Sequence, residues 1–410
     1  MDIKIYPSKL IGILNAPSSK AYSQRMIIAA ALANGVSEIT NITVSKDISV
    51  SAGAMEALGA NVLADEGTFT IRGIKAPPAK AEIDCCESGA TLRFVIPIAA
   101  ALGTESTFMG QGKLPQRPIT PYFREFPAKG ITFEPQGGLP LHMTGKLTAG
   151  EYKMEGDISS QFITGLLYAL PLCNGDSVVK LTSPLQSKPY VDMTISALKK
   201  FGIEITETSE NGLPAYIVKG NQKYSPCDVR VEGDYSQAAF FYVANALGSE
   251  IEIRNLDPDS AQGDKEIVNI IRNCGSELKP FTADVGDIPD LVPILTVLGC
   301  LTKGTSRIVN AARLKIKESD RLVDVANALN AIGGKITAGD DHLEIQPVEK
   351  FTGGEVDSCN DHRIVMAAAI AALSSDSPVI IKGAEAVNKS YPRFFEDYKS
   401  LGGNFEILKQ

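Results

Sequence analysis

Histidine is scarce in this 410-residue chain; only His142, His342 and His362 are present. A metal site built on imidazoles is not expected. Cysteine does not take its place. Cys85, Cys86, Cys173, Cys227, Cys274, Cys300 and Cys359 are odd in number, none stands in CxxC spacing, and two are adjacent. That argues against a zinc site and a disulfide framework, and fits a reducing compartment. Net positive charge is lacking too. Forty Lys and Arg face 48 Asp and Glu, a formal net charge of −8. The general field therefore disfavours nucleic acid, although a small anion can still bind where basic residues converge. There is no GxxxxGK[ST] and no GxGxxG after a strand, so a nucleotide cradle is unsupported. Asp257 with Asp259 and Asp340 with Asp341 read as turn chemistry rather than metal ligands. The N-terminal MDIKIYPSKLIGILNAPSSK carries no long apolar run and no Arg/Ser-rich presequence. No signal peptide, transit peptide or membrane span is expected, and the expected location is cytoplasmic.

What the chain does contain is repetition. With 44% hydrophobic residues, it is long enough for two or three domains with real cores. One pattern recurs six times, opening near residues 18, 87, 158, 233, 286 and 360. A polar loop opens a small-residue apolar helix, as in SSKAYSQRMIIAAALANG. A Gly-rich stop, a β-branched strand, a second helix and a short strand follow. The first helix of each copy is apolar on nearly every face and should be buried. The second is amphipathic; in the fifth copy Leu322, Val325, Leu329 and Ile332 form one stripe, stopped by Gly333. The expected fold is α/β, with two domains of three repeated units, buried helices and mixed sheets. The boundary is expected near 225–232, with the site between the domains.

The helix openings carry the chemistry. A helix N-terminus presents unpaired N–H groups and a positive dipole end. Ser18, Ser19, Lys20, Ser23 and Arg25 open the first copy. Ser88, Gly89, Thr91 and Arg93 open the second, Ser159, Ser160 and Gln161 the third, and Asp361, His362 and Arg363 the sixth. Beside them stand QRPI with Arg117, SKPY (187–190), KESDR (317–321) and NKSYP with Lys389. Serine or aspartate before a helix usually does no more than cap it. Lysine and arginine crowding this end oppose the dipole, however, unless an anion sits there. Repetition over several units points to a multiply anionic ligand set. In KIKESDRL (315–322) the helix is expected to begin near Ser319, with Lys317 and Arg321 sharing a face.

Nine short motifs, SSKAYSQR, ESGATLR, QRPI, GDISSQF, SKPYVD, GDIPD, KIKESDRL, NDHR and NKSYP, occur in one order. In that combination the chain resembles the 5-enolpyruvylshikimate-3-phosphate synthase family over essentially its whole length. The resemblance implies a two-domain clamp, with residues 1–12 joining 226–410 and residues 13–225 forming the other domain. It implies no cofactor and no metal, small-molecule substrates, no nucleic-acid or membrane partner, and a monomer. Lys20, Gly89, Arg117, Gln161, Arg321, Arg363 and Lys389 are the implied phosphoenolpyruvate site. Lys20, Arg25, Ser159, Ser160, Gln161, Ser187, Tyr190, Asp290 and Lys317 are the implied shikimate 3-phosphate site. Asp290, Glu318 and Lys20 are the implied catalytic groups. The sequence departs from common family residues at Ala21, Glu87, Phe94 and Arg313, with Glu87 and Phe94 expected near the phosphoenolpyruvate pocket.

The implied chemistry suits these residue types. Two phosphates and two carboxylates in one cleft repel and need fixed cations. Arginine meets carboxylate and phosphate with a two-pronged fork. Addition of a hydroxyl across an enol needs a base for the hydroxyl and an acid for the methylene, hence two carboxylates in different environments. Asp290 is assigned the 5-hydroxyl, Glu318 the C3 proton, and Lys20 the leaving phosphate. The UDP-N-acetylglucosamine enolpyruvyl transferases, a similar family, carry a reactive cysteine in the loop that here reads GQGKLPQRP. A non-catalytic phosphate-metabolite binder would have no need of Asp290 and Glu318 together. An RNA 3′-terminal phosphate cyclase would need a catalytic histidine and a nucleotide site.

Overall fold

The computed structural model describes residues 1–135, 137–317 and 319–409. The chain divides into two compact units, Ser18–Val231 and Met1–Pro17 with Glu232–Gln410, called here the middle and terminal units.

The middle unit contains α1 (Lys20–Leu32), α2 (Lys46–Ala57), α3 (Gly89–Leu102), α4 (Thr120–Glu125), α5 (Ser160–Ala169) and α6 (Lys188–Lys200). Its three four-stranded sheets share one plan: two parallel strands followed by an antiparallel hairpin. Glu151–Met154 runs parallel to Ser177–Leu181, which pairs antiparallel with Leu213–Val218 and then Ile205–Glu210. Lys80–Asp84 with Glu105–Met109, and Val229–Arg230 with Val36–Thr40, begin the other two sheets in the same way. The three copies expected from the sequence are therefore three equivalent sheets. α3 and α5 are buried along nearly their whole length. Gly165 makes their approach possible, because a Cβ there would stand 2.4 Å from the Arg93 carbonyl oxygen and 2.8 Å from Pro97 Cγ.

The terminal unit contains α7 (Tyr235–Ala246), α8 (Glu266–Cys274), α9 (Val292–Cys300), α10 (Arg321–Asn330), α11 (His362–Ala371) and α12 (Phe394–Ser400). α11 packs against α7, α9 and α10. The burial of Val292, Ile294, Leu295, Val365 and Ile370 in this core contributes about 1.5–3 kcal/mol per large aliphatic side chain. One sheet repeats the middle unit's plan with Thr282–Asp284, Ser306–Val309, Leu343–Gln346 and Lys335–Ala338. In the next, the N-terminal strand Asp2–Tyr6 lies between Val379–Lys382 and Asn404–Lys409. The fourth copy, short in sequence, keeps a two-stranded sheet of Glu250–Arg254 with Ile11–Asn15.

These pairings move the expected boundaries. Residues 13–15 pair with 252–254, so the crossing comes after Pro17 and not after residue 12. Val229 and Arg230 pair with Ile39 and Thr40, which keeps the middle unit intact to Val231, inside the expected 225–232 range though past the implied bound at 225. α10 begins at Arg321, capped by Asp320, and not near Ser319. Lys317 has an extended backbone before that helix, so the expected shared helical face with Arg321 does not exist. Among the described residues no helix is long and apolar enough to cross a membrane, and none of the seven cysteines is in a disulfide.

Candidate active site

In the middle unit, serine oxygens cap the three buried helices at the expected openings. Ser19 accepts from Tyr22 N, Ser88 from Thr91 N and Ser159 from Gln161 N. Lys20, the first residue of α1, holds Asp47 Oδ2 at 2.8 Å. One turn later Arg25 is buried. Its Nε donates to Thr194 Oγ1 at 2.9 Å, Nη1 to the Ala21 carbonyl at 2.8 Å and Nη2 to the Tyr190 carbonyl at 2.9 Å. Its guanidinium lies 5.4 Å from the Phe94 ring centroid, a favourable cation–π distance. Burial lowers its pKa from the ordinary arginine value, although a guanidinium stays charged throughout the working pH range. Phe94, expected near the phosphoenolpyruvate residues, thus supports the arginine assigned to shikimate 3-phosphate. Ser187 begins α6 from a left-handed backbone conformation.

A buried polar chain joins the first three helices. Gln24 Nε2 donates to Ser51 Oγ at 2.9 Å, Ser51 and Thr91 share a hydrogen bond at 2.7 Å, and Thr91 Oγ1 donates to Ser88 Oγ at 2.9 Å. This fixes the start of α3, where Gly89 meets Arg117. A Cβ on Gly89 would stand 2.7–3.0 Å from the Arg117 guanidinium atoms. Arg93, one turn further, donates to Gln161 Oε1 at 2.7 Å and to the Pro118 carbonyl at 3.0 Å. Glu87 borders the loop that leads to Arg117, since a Cβ on Gly112 would stand 2.9 Å from its Oε2.

In the terminal unit, Asp290 lies in a 3-10 turn, Pro289–Leu291, ahead of α9. Its Oδ1 accepts from Arg321 Nη1 at 3.0 Å and stands 3.8 Å from Lys317 Nζ. Its Oδ2 accepts from Arg363 Nη2 at 2.9 Å. Lys317 and Arg321 therefore meet through a carboxylate rather than along a helix. Arg321 Nε also donates to Asp361 Oδ2 at 2.8 Å, and both side chains are almost fully buried. Lys389 donates to the Asn360 carbonyl at 2.8 Å. Asp264 is buried in the turn Gly263–Lys265. Burial, then the negative charge of Asp290, pushes its carboxyl up to about 7, against a smaller opposing pull from Arg363. Glu318 lies outside the described residues. Arg313 donates to the Gly286 carbonyl at 3.3 Å.

Lys20, Arg321 and Arg363 do stand at helix starts, and what holds them lies far off in sequence or in the cap itself. Asp47, Thr194 and the Asn360 carbonyl give no signal in the sequence, while Arg93 and Asp361 stand out there only as helix-opening residues. Cations at a helix N-terminus need an anion beside them; in the terminal unit Asp290 and Asp361 supply part of that charge from within the chain. Each unit by itself thus offers fixed donors suited to carboxylate or phosphate. The terminal unit adds Asp290, a carboxylate with three cations around it.

The model of the EPSP synthase family, 3-phosphoshikimate 1-carboxyvinyltransferase, matches residues 5–398. The chain belongs to the EPSP synthase family. It is 44% identical to the 3-phosphoshikimate 1-carboxyvinyltransferase of Clostridium beijerinckii, over 99% of this chain and 98% of that protein. It is 45% identical to the enzyme of that name from Clostridium novyi, over 98% of each. The solved EPSP synthase of Acinetobacter baumannii has the same fold, with a TM-score of 0.83 at 24% identity and full coverage of both chains. Among the described residues, no three or more His, Cys, Asp or Glu side chains gather as a metal site needs.

Proposed function

We infer that this family member is a 3-phosphoshikimate 1-carboxyvinyltransferase. It transfers the enolpyruvyl group of phosphoenolpyruvate to the 5-hydroxyl of shikimate 3-phosphate and releases phosphate, a step of the shikimate pathway to chorismate and the aromatic amino acids. The match of the family model over residues 5–398 carries this reading.

The 5-hydroxyl oxygen adds to C2 of the enol while C3 takes a proton, giving a tetrahedral intermediate. Loss of a C3 proton then expels phosphate. Asp290 receives the hydroxyl proton, Glu318 serves C3, and Lys20 attends the leaving phosphate. Arg117, Arg321, Arg363 and Lys389, with Gly89 and Gln161, bind phosphoenolpyruvate. Arg25, Ser159, Ser160, Ser187, Tyr190 and Lys317 bind shikimate 3-phosphate. The roles of Arg321, Arg363 and Lys317 draw support from their shared contact with Asp290, and that of Arg25 from its three internal acceptors, which fix its plane. The cysteine-dependent sister chemistry is disfavoured. Cys86, whose carbonyl accepts from Gln111 N in the Arg117 loop, has its thiol pushed up by burial and by Asp84, which makes it a poor nucleophile. The reading includes a cytoplasmic location and a monomer, checked by fractionation and gel filtration.

The test is phosphate release from phosphoenolpyruvate with shikimate 3-phosphate or UDP-N-acetylglucosamine as acceptor. Release only with shikimate 3-phosphate is expected; release only with the UDP-sugar would move the chain to the sister activity.

A further inference from the structure

Arg321 has five N–H donors, and two carboxylates engage three of them. Asp290 Oδ1 takes Nη1 at 3.0 Å. Asp361 takes the other edge, with Oδ2 accepting from Nε at 2.8 Å and Oδ1 from Nη2 at 3.3 Å. This is the two-pronged arginine–carboxylate geometry, which fixes the guanidinium plane as well as its position. Asp361 is fully buried and Arg321 is 1% exposed, so solvent does not loosen the pair.

The same carboxylate has a second task. Asp361 is the N-cap of α11, and its Oδ1 accepts from the Arg363 backbone N at 2.9 Å. The side chain that leaves this first turn is Arg363, whose Nη2 reaches Asp290 Oδ2 at 2.9 Å. One buried carboxylate is therefore bonded to the side chain of Arg321 and to the backbone of Arg363. Those are two of the cations assigned above to phosphoenolpyruvate.

We propose that Asp361 is a positioning residue for phosphoenolpyruvate recognition, setting Arg321 through its guanidinium and Arg363 through the first turn of α11. It acts through these arginines and not on substrate. This inference rests on their assignment as phosphoenolpyruvate ligands. Asparagine at 361 keeps the capping oxygen but turns an amide donor toward a guanidinium that only donates, and it removes the charge.

Steady-state kinetics of Asp361→Asn, with Arg321→Gln as reference, tests it. The expected result for Asp361→Asn is a rise in KM for phosphoenolpyruvate of roughly 10–100-fold, the weight of a hydrogen bond to a charged group. KM for shikimate 3-phosphate, which these arginines reach only through Asp290, should rise by less. Should Asp361→Asn fail to fold, Asp361→Ser, which also supplies a capping oxygen, is expected to show the same selective rise. Equal changes in both KM values, or lost stability with unchanged KM values, would show a merely structural ion pair and overturn the proposal. If Arg321→Gln itself leaves KM for phosphoenolpyruvate unchanged, the assignment of Arg321 falls and this inference falls with it. If Arg321→Gln raises it and Asp361→Asn does not, only the positioning role is lost.

Discussion

The Arg117 guanidinium packs against Gly89 so closely that a Cβ on residue 89 would stand 2.7 Å from Nη1 and 2.8 Å from Cζ. Contacts under 3 Å force one partner to move. The helix start is held by Ser88 and Thr91, so the arginine is the one to yield. Gly89→Ala is expected to raise KM for phosphoenolpyruvate by about tenfold, because displacement by even ~1 Å weakens an oriented donor pair. Stability should change by less than about 1 kcal/mol, since alanine favours the helix. Kinetics beside urea denaturation checks both; an unchanged KM would show that Arg117 is not a ligand or that it tolerates the displacement.

Asp290 faces Arg321, Arg363 and Lys317. Asp290→Asn keeps the side-chain shape but cannot take a proton from a hydroxyl. Turnover is expected to fall by ~10²-fold or more, the usual weight of a positioned base. A fall of less than about tenfold in kcat would assign the hydroxyl proton to another group.

Tyr122 answers a defect that Pro97 creates. Proline has no N–H, so within α3 the Arg93 carbonyl lacks its usual helical donor from residue 97. Tyr122 Oη lies 2.7 Å from that carbonyl oxygen and 3.0 Å from the Phe162 carbonyl oxygen, so its one proton is shared between α3 and α5. Tyr122→Phe leaves a buried carbonyl unpaired and should cost about 1–3 kcal/mol, read as a lower urea midpoint. An unchanged midpoint would mean that the carbonyls find other donors.

Such arrangements mark the limit of what the sequence discloses. Helix openings at Lys20, Gly89, Ser160 and His362 were legible because their caps are local: Ser19, Ser88, Ser159 and Asp361 each bond within three residues. The sixfold repeat was legible because each copy alternates a buried and an amphipathic helix. Asp47 and Lys20 are 27 residues apart, Arg321 and Asp361 are 40, and Arg25 and Thr194 are 169. No local pattern encodes those pairings. The displaced start of α10 has a local cause: Ser319 and Asp320 are both good caps, and the second one serves.

Asp264 makes stability depend on pH. Burial and the Asp290 charge raise its carboxyl to about 7. A group that holds its proton more tightly when folded adds stability that is full below the ordinary carboxylate range and is lost as pH rises toward about 7. Asp264→Asn should remove this contribution. Urea midpoints of the two proteins should therefore diverge as pH rises from about 4 to about 7 and stay apart above that, the variant gaining relative to the parent at the higher pH. Parallel pH profiles would show that Asp264 does not titrate in this window.

The most direct test of the proposed reaction is turnover of phosphoenolpyruvate and shikimate 3-phosphate in D₂O, with mass analysis of the product. Addition–elimination takes a solvent proton onto C3 and removes one again, so the account predicts an enolpyruvyl ether carrying deuterium in its methylene group, formed only when both substrates are present. A product free of deuterium, or phosphate released without shikimate 3-phosphate, would contradict it.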